Sequence, residues 1–127
     1  LYKTGLTNQD ISRELDELRL DRTPIICDSA EPKSIEELHR LGHNVKPSKK
    51  GPDSIRLGID IMKRHKLFVL KDSLNAQKEF RNYRWEVDRN GTQLNKPIDN
   101  NNHIIDAVRY ICINRIGTPY SGKYFIT

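Results

Sequence analysis

Apolar residues recur along this chain with two different periods, and the alternation between them predicts most of its elements. Ile11, Leu15 and Leu18 fall at helical spacing, so residues 8–20 read as an amphipathic helix. Thr7 followed by Asp10 gives that helix a capping-box-like start, with Asp standing where Glu is usual. Beyond Pro24, "PIICD" is a short continuous apolar run, the signature of a strand buried on both faces. Pro32 suits a first helical turn, and Ile35, Leu38 and Leu41 carry the period to a stop at Gly42. "HNVKP" then reads as a short strand. Strand, crossover helix and strand in succession predict parallel pairing and an α/β sheet.

The second half alternates less regularly. "PSKKGPDS" is loop, dense in Pro, Gly, Ser and Lys. From Ser54, the residues Ile55, Ile59 and Met62 line one side of a helix that ends in the basic cluster "KRHK". "KLFVL" reads as a further strand, and residues 74–80 fit a short helix. "YRWEVDRNG" alternates towards a turn at Asn90-Gly91, as one arm of an antiparallel hairpin would. Polar "NKPIDNNN" is expected to be loop. A last helix is expected from about Asn102 to Arg115, stopped by Gly117, and no element is assigned to "TPYSGKYFIT". There are no repeats and no low-complexity segments.

A length of 127 residues bounds this to one domain or a piece of one. With 35% hydrophobic and 31% charged residues, a modest core lies beneath a highly charged surface. No apolar run approaches the ~18 residues of a membrane span, so none is expected. No basic-then-apolar leader marks secretion. Cys27 and Cys112 both lie in apolar runs and read as buried free thiols of a reducing compartment, too isolated for a zinc site. The net charge of +5 and pI near 9.3 lean towards a polyanionic partner, although many ordinary domains are this basic. "LYKTGLTNQD" has no initiator methionine and resembles a linker running into a helix, so the chain is expected to be excised from something longer.

Three places carry candidate chemistry. Asp28 stands at the carboxyl end of the "PIICD" strand, where open α/β sheets place their ligands. It equally suits a turn or the N-cap of the helix that follows. His103 and Asp106, at i and i+3 in "NNHIIDAVRY", share one face of a helix. Taken alone, Asp106 reads more simply as an acid favoured by the helix dipole, and His103 as a surface residue. A third acid would turn these into a recognisable site, because Mg²⁺ or Mn²⁺ prefers a few carboxylates with water and phosphate oxygens. Lys46, Lys49 and Lys50 precede Gly51, Ser54 and a helix start, which suits phosphate binding as well as it suits a solvated basic loop. It is not a P-loop, since no Gly-Lys-Ser/Thr ending is present. Tyr83 and Trp85 are read as packing residues rather than base-stacking platforms. Asp10, Asp16, Glu17, Asp21 and Asp60 are read as surface charges.

Together, "ICDSAEPKSIEEL", "KPSKKGPDSIRLGIDIM", "YRWEVDRNG" and "NHIIDAVRY" closely resemble the nuclease domain of the large terminase subunits of tailed bacteriophages, in order and across nearly the whole chain. The resemblance implies an RNase H-like (integrase/resolvase-type) fold, a mixed sheet flanked by helices. It also implies endonucleolytic cleavage of double-stranded concatemeric DNA with two divalent metals, Mg²⁺ or Mn²⁺, during genome packaging. The family's second metal-binding acid falls on Asp28 and its last on Asp106, with His103 as the accompanying histidine; Lys46, Lys49, Lys50 and Ser54 are the expected DNA contacts. The family's first acid, on the first central strand, belongs upstream of "YKTGLT". This chain is therefore expected to be the C-terminal portion of the nuclease domain, without those first strands. The implied partners are an N-terminal ATPase motor in the same polypeptide, the small terminase subunit and the portal, with no membrane, in the host bacterial cytoplasm. Other readings are a different RNase H-like nuclease of the junction-resolvase type, and a non-catalytic DNA-binding or assembly module.

Overall fold

A computed structural model describes residues 2–117, with Asn95 described by its backbone only. By their internal contacts the residues divide into two compact units, one up to Lys50 and one from Gly51.

In the first unit, helix α1 (Asn8–Glu17) starts on the predicted capping box. The Thr7 hydroxyl accepts from the Asp10 amide, while the Thr7 amide donates to Asp10 Oδ2 at 2.9 Å. The helix is shorter than its periodicity suggested, because Arg19 (φ 49°) and Asp21 (φ 51°) turn left-handed and end it. Strand β1 (Ile25–Cys27) leads into helix α2 (Pro32–Arg40), which has Pro in its first turn and is followed by Gly42 at φ 98°. Strand β2 (Val45–Pro47) then pairs parallel with β1, Ile25 opposite Val45. The ladder continues past β2, where the Ser48 amide donates to the Cys27 carbonyl at 2.7 Å. Leu38 and Val45 are buried at the centre, and buried Ser12 on α1 is 2.7 Å from His43 Nε2. The strand–helix–strand unit is thus as predicted, but β1 is only half-buried within this chain, not covered on both faces.

The second unit opens with α3 (Ser54–Lys63) and α4 (Leu74–Asn82). The predicted "KLFVL" strand between them does not form among the described residues. No described strand pairs with this segment, and Phe68 is 83% exposed. Strands β3 (Trp85–Val87) and β4 (Gln93–Pro97) form the expected antiparallel hairpin. Asp88 builds its turn by accepting at Oδ1 from the Asn90 and Thr92 amides, both at 2.8 Å, with Gly91 at φ 81°. The hairpin's second arm takes in Asn95-Lys96-Pro97, which the sequence assigned to loop. Pairing with Trp85 overrides their polar character.

Helix α5 (His103–Ile111) widens into a π-helical turn (Cys112–Ile116) closed by the Gly117 amide on the Cys112 carbonyl at 2.7 Å. Asp106 is thereby held in the first turn of a helix that is buried along one side. The core of the unit is Ile61, Met62, Ile105, Cys112 and Ile113, with Phe80, Tyr83 and Val108 packed against it. Both cysteines are free, as expected, but only Cys112 is fully buried. No helix among the described residues is long and apolar enough to cross a membrane.

Candidate metal and nucleic-acid site

Asp28 emerges one residue past β1, where the parallel ladder ends. Its Oδ1 accepts from the Ala30 amide at 2.9 Å, an Asx turn that restrains the carboxylate just past the strand. It is not the cap of α2, since that position belongs to Glu31, which makes no side-chain cap bond. Lys50 Nζ lies 2.5 Å from the same oxygen, and both side chains are near half-exposed. An ion pair this open contributes only about 0–1 kcal/mol. Lys46 and Lys49 are exposed on either side of Pro47 and Ser48. Ser54, half-buried, is the first residue of α3, behind Asp53 at φ 62°.

His103 and Asp106 are brought together as expected, in the first turn of α5. The helix is apolar because its inner side is core: Ile105, between them, is 0% exposed. Asp106 is 31% exposed at its side chain and is tied to Arg109, whose Nε (3.2 Å) and Nη2 (2.9 Å) both fall on Oδ1. Among the described residues no donor reaches Oδ2. Asp28 belongs to the first unit and His103 and Asp106 to the second. Among the described residues, no group of three or more His, Cys, Asp or Glu side chains gathers to hold a metal ion.

In the second unit, Arg109, Gly58 and Glu79, which sequence reasoning passed over, surround Asp106 and its helix together with Tyr83, which it read as a packing residue. Arg109 is only 5% exposed and crosses α3 at Gly58. A Cβ on Gly58 would overlap Arg109 Cγ and lie 2.9 Å from its Cδ, so the glycine is what lets the guanidinium reach Asp106. Glu79 on α4 is 2% exposed, and its Oε2 accepts from the Ile104 (2.7 Å) and Ile105 (3.1 Å) amides at the start of α5. Tyr83 has its hydroxyl buried without a hydrogen-bond partner among the described residues. Burial, and secondarily the Asp106 carboxylate, holds this phenol above its ordinary pKa. The available signal was the i, i+3 spacing of Asp106 and Arg109. Gly58 and Glu79 had none, because their roles depend on packing between helices.

Residues 1–112 match the terminase RNase H-like domain family. The chain belongs to that family. Over 92 residues it is 39% identical to the terminase large subunit of Bacillus phage SPP1, an alignment that spans 68% of this chain and 21% of that protein. The chain thus covers about a fifth of its curated relative's length. It is also similar to the crystal structure of the large terminase nuclease domain from bacteriophage SPP1 with bound Mn. There the TM-score is 0.76 at 30% identity, over 87% of this chain and 64% of that one. The fold is therefore RNase H-like, and the terminase resemblance read from the four motifs holds along the matched length.

Proposed function

We propose that this chain serves a phage DNA-packaging terminase as a divalent-metal-dependent endonuclease domain acting on double-stranded DNA. The observation that carries the proposal is the likeness to a terminase nuclease domain with bound Mn, at 30% identity and a TM-score of 0.76. Asp28, Asp106 and His103 are the residues assigned to the metal. Two carboxylates and an imidazole form a donor set that suits Mn²⁺, and the carboxylates suit Mg²⁺. The bidentate hold of Arg109 on Asp106 Oδ1, with no described donor on Oδ2, leaves an oxygen available for such an ion. Bound there, the cation would supply positive charge against the charge that develops on a phosphodiester under in-line attack.

The protein's own part is to hold and orient. Asp28 is fixed by its Asx turn, and Lys50, now on its carboxylate, would move to a backbone phosphate as metal and DNA enter. Lys46, Lys49 and Ser54 would contact phosphates without reading sequence. Three side chains fill few of the coordination positions that two such ions require, so further donors come from water, phosphate and other acids. The partners that follow from this reading are the ATPase motor of the same polypeptide, the small terminase subunit and the portal, in the bacterial host.

Plasmid cleavage by the full-length protein with Mn²⁺ tests the proposal. Asp28→Ala and Asp106→Ala are expected to abolish cutting, and His103→Ala to reduce it. Cutting at the wild-type rate by either aspartate variant would remove that residue from the site.

A further inference from the structure

We infer that Glu79 is a positioning residue: from α4 it sets the rotation and height of α5, and through them the aim of His103 and Asp106. The inference rests on the proposal that these two residues hold metal. Burying a carboxylate is costly unless donors replace its water. Glu79 is 2% exposed, and two successive amides, those of Ile104 and Ile105, converge on its Oε2. These amides stand between His103 and Asp106 in the chain. A helix start is ordinarily capped by its own N-cap side chain. Here the N-cap is Asn102, which makes no side-chain cap bond.

The chain thus uses a buried acid from a neighbouring helix where a local Ser or Asp would satisfy the same amides. A local cap ties a helix only to itself. An acceptor on α4 also fixes α5 about its axis, and each residue turns that axis by about 100°. A small slip in rotation would swing both ligands together. Phe80 and Tyr83 pack against the core that contains Ile105, a non-directional contact. Glu79 adds a directional polar constraint at the start of α5, next to His103 and Asp106, where apolar packing and the Arg109 stem at Gly58 act further along the helix.

Mn²⁺ affinity by titration calorimetry without DNA, alongside the melting temperature, separates positioning from plain structural support in the full-length protein. Glu79→Ala is expected to weaken Mn²⁺ binding by about tenfold or more, in the range typical of residues that orient metal ligands. Glu79→Gln keeps an acceptor oxygen at the same reach and is expected to retain most of the affinity. Adding Asn102→Asp to Glu79→Ala restores a local cap. It is expected to recover the melting temperature and not the affinity. Affinity that returns together with the melting temperature would overturn the inference, as would wild-type affinity in Glu79→Ala. If Glu79→Ala does not fold, Glu79→Asp carries the test: one methylene shorter, it should lower affinity in a folded protein, and unchanged affinity would count against the role. Asp106→Ala is the control. Undiminished Mn²⁺ binding there would sink the site assignment itself, whereas its loss beside an unaffected Glu79→Ala would sink this inference alone.

Discussion

Arg109 shows how much at the residue scale depends on a neighbour. Its guanidinium is buried, so its charge is tolerated only because Asp106 accepts two of its N–H groups. The space for its stem comes from Gly58. A Gly→Ala change within a helix ordinarily stabilises by roughly 0.5–1 kcal/mol. At Gly58 the sign should reverse, with Gly58→Ala costing about 1–3 kcal/mol through overpacking. Denaturant unfolding checks this, and a gain in stability would show that Arg109 has room to move. Tyr83 supplies a second residue-scale test. Its phenol is raised above the ordinary 10.0, burial being the largest cause. A proton held more tightly by the folded state contributes stability that is complete below the unfolded pKa and is lost as pH rises through the folded one. The melting temperature of the wild type should therefore fall faster than that of Tyr83→Phe above about pH 10. Both proteins keep the two thiols, so parallel curves would show that Tyr83 does not contribute.

At the scale of elements, the α1 start and the "KLFVL" segment respond to opposite rules. The capping box satisfies orphan amides locally and forms wherever Thr and an acid are correctly spaced. Thr7→Ala should accordingly cost about 1 kcal/mol, measurable by thermal unfolding. A strand is different, because its backbone groups need a second strand. Phe68, at 83% exposure, lies in an apolar run that has no strand partner among the described residues. Phe68→Ser should thus change stability by less than about 0.5 kcal/mol, and a drop of several times that would place Phe68 in a packed interface.

At the scale of the whole molecule, the proposed function implies that a net charge of +5 and the lysines before α3 would govern encounter with DNA more than stability. Each phosphate that a lysine neutralises releases counterions, so affinity falls linearly in log–log terms with salt. Replacing Lys46 and Lys49 with Ala should weaken binding equally on unrelated duplexes and flatten the salt slope by about one for each phosphate no longer neutralised. Weakening confined to one DNA sequence would assign those lysines to base reading instead. Lys50 is left out of that test because its removal also uncovers Asp28.

The sequence by itself determined what depends on neighbours along the chain. Capping, the helical periods, the turn at Asn90-Gly91 and the strand–helix–strand order are short-range, so Thr7, Pro32 and Gly91 announced their structures. The four ordered motifs carried the family, and with it the RNase H-like fold. The sequence also placed His103 and Asp106 on one helix face, because i and i+3 can lie nowhere else. Tertiary structure alone decided what depends on a partner from elsewhere. Whether "KLFVL" becomes a strand is set by whether another backbone meets it, and residues 95–97 joined a strand because Trp85 and its neighbours were there to pair. Glu79 reads in sequence as one more charge on a polar helix, yet it is buried against two amides 25 and 26 residues away. Gly58 reads as a weak point in α3, yet it gives passage to the arginine that holds Asp106. Their effects arise from packing between helices, and packing has no period that a single chain can display.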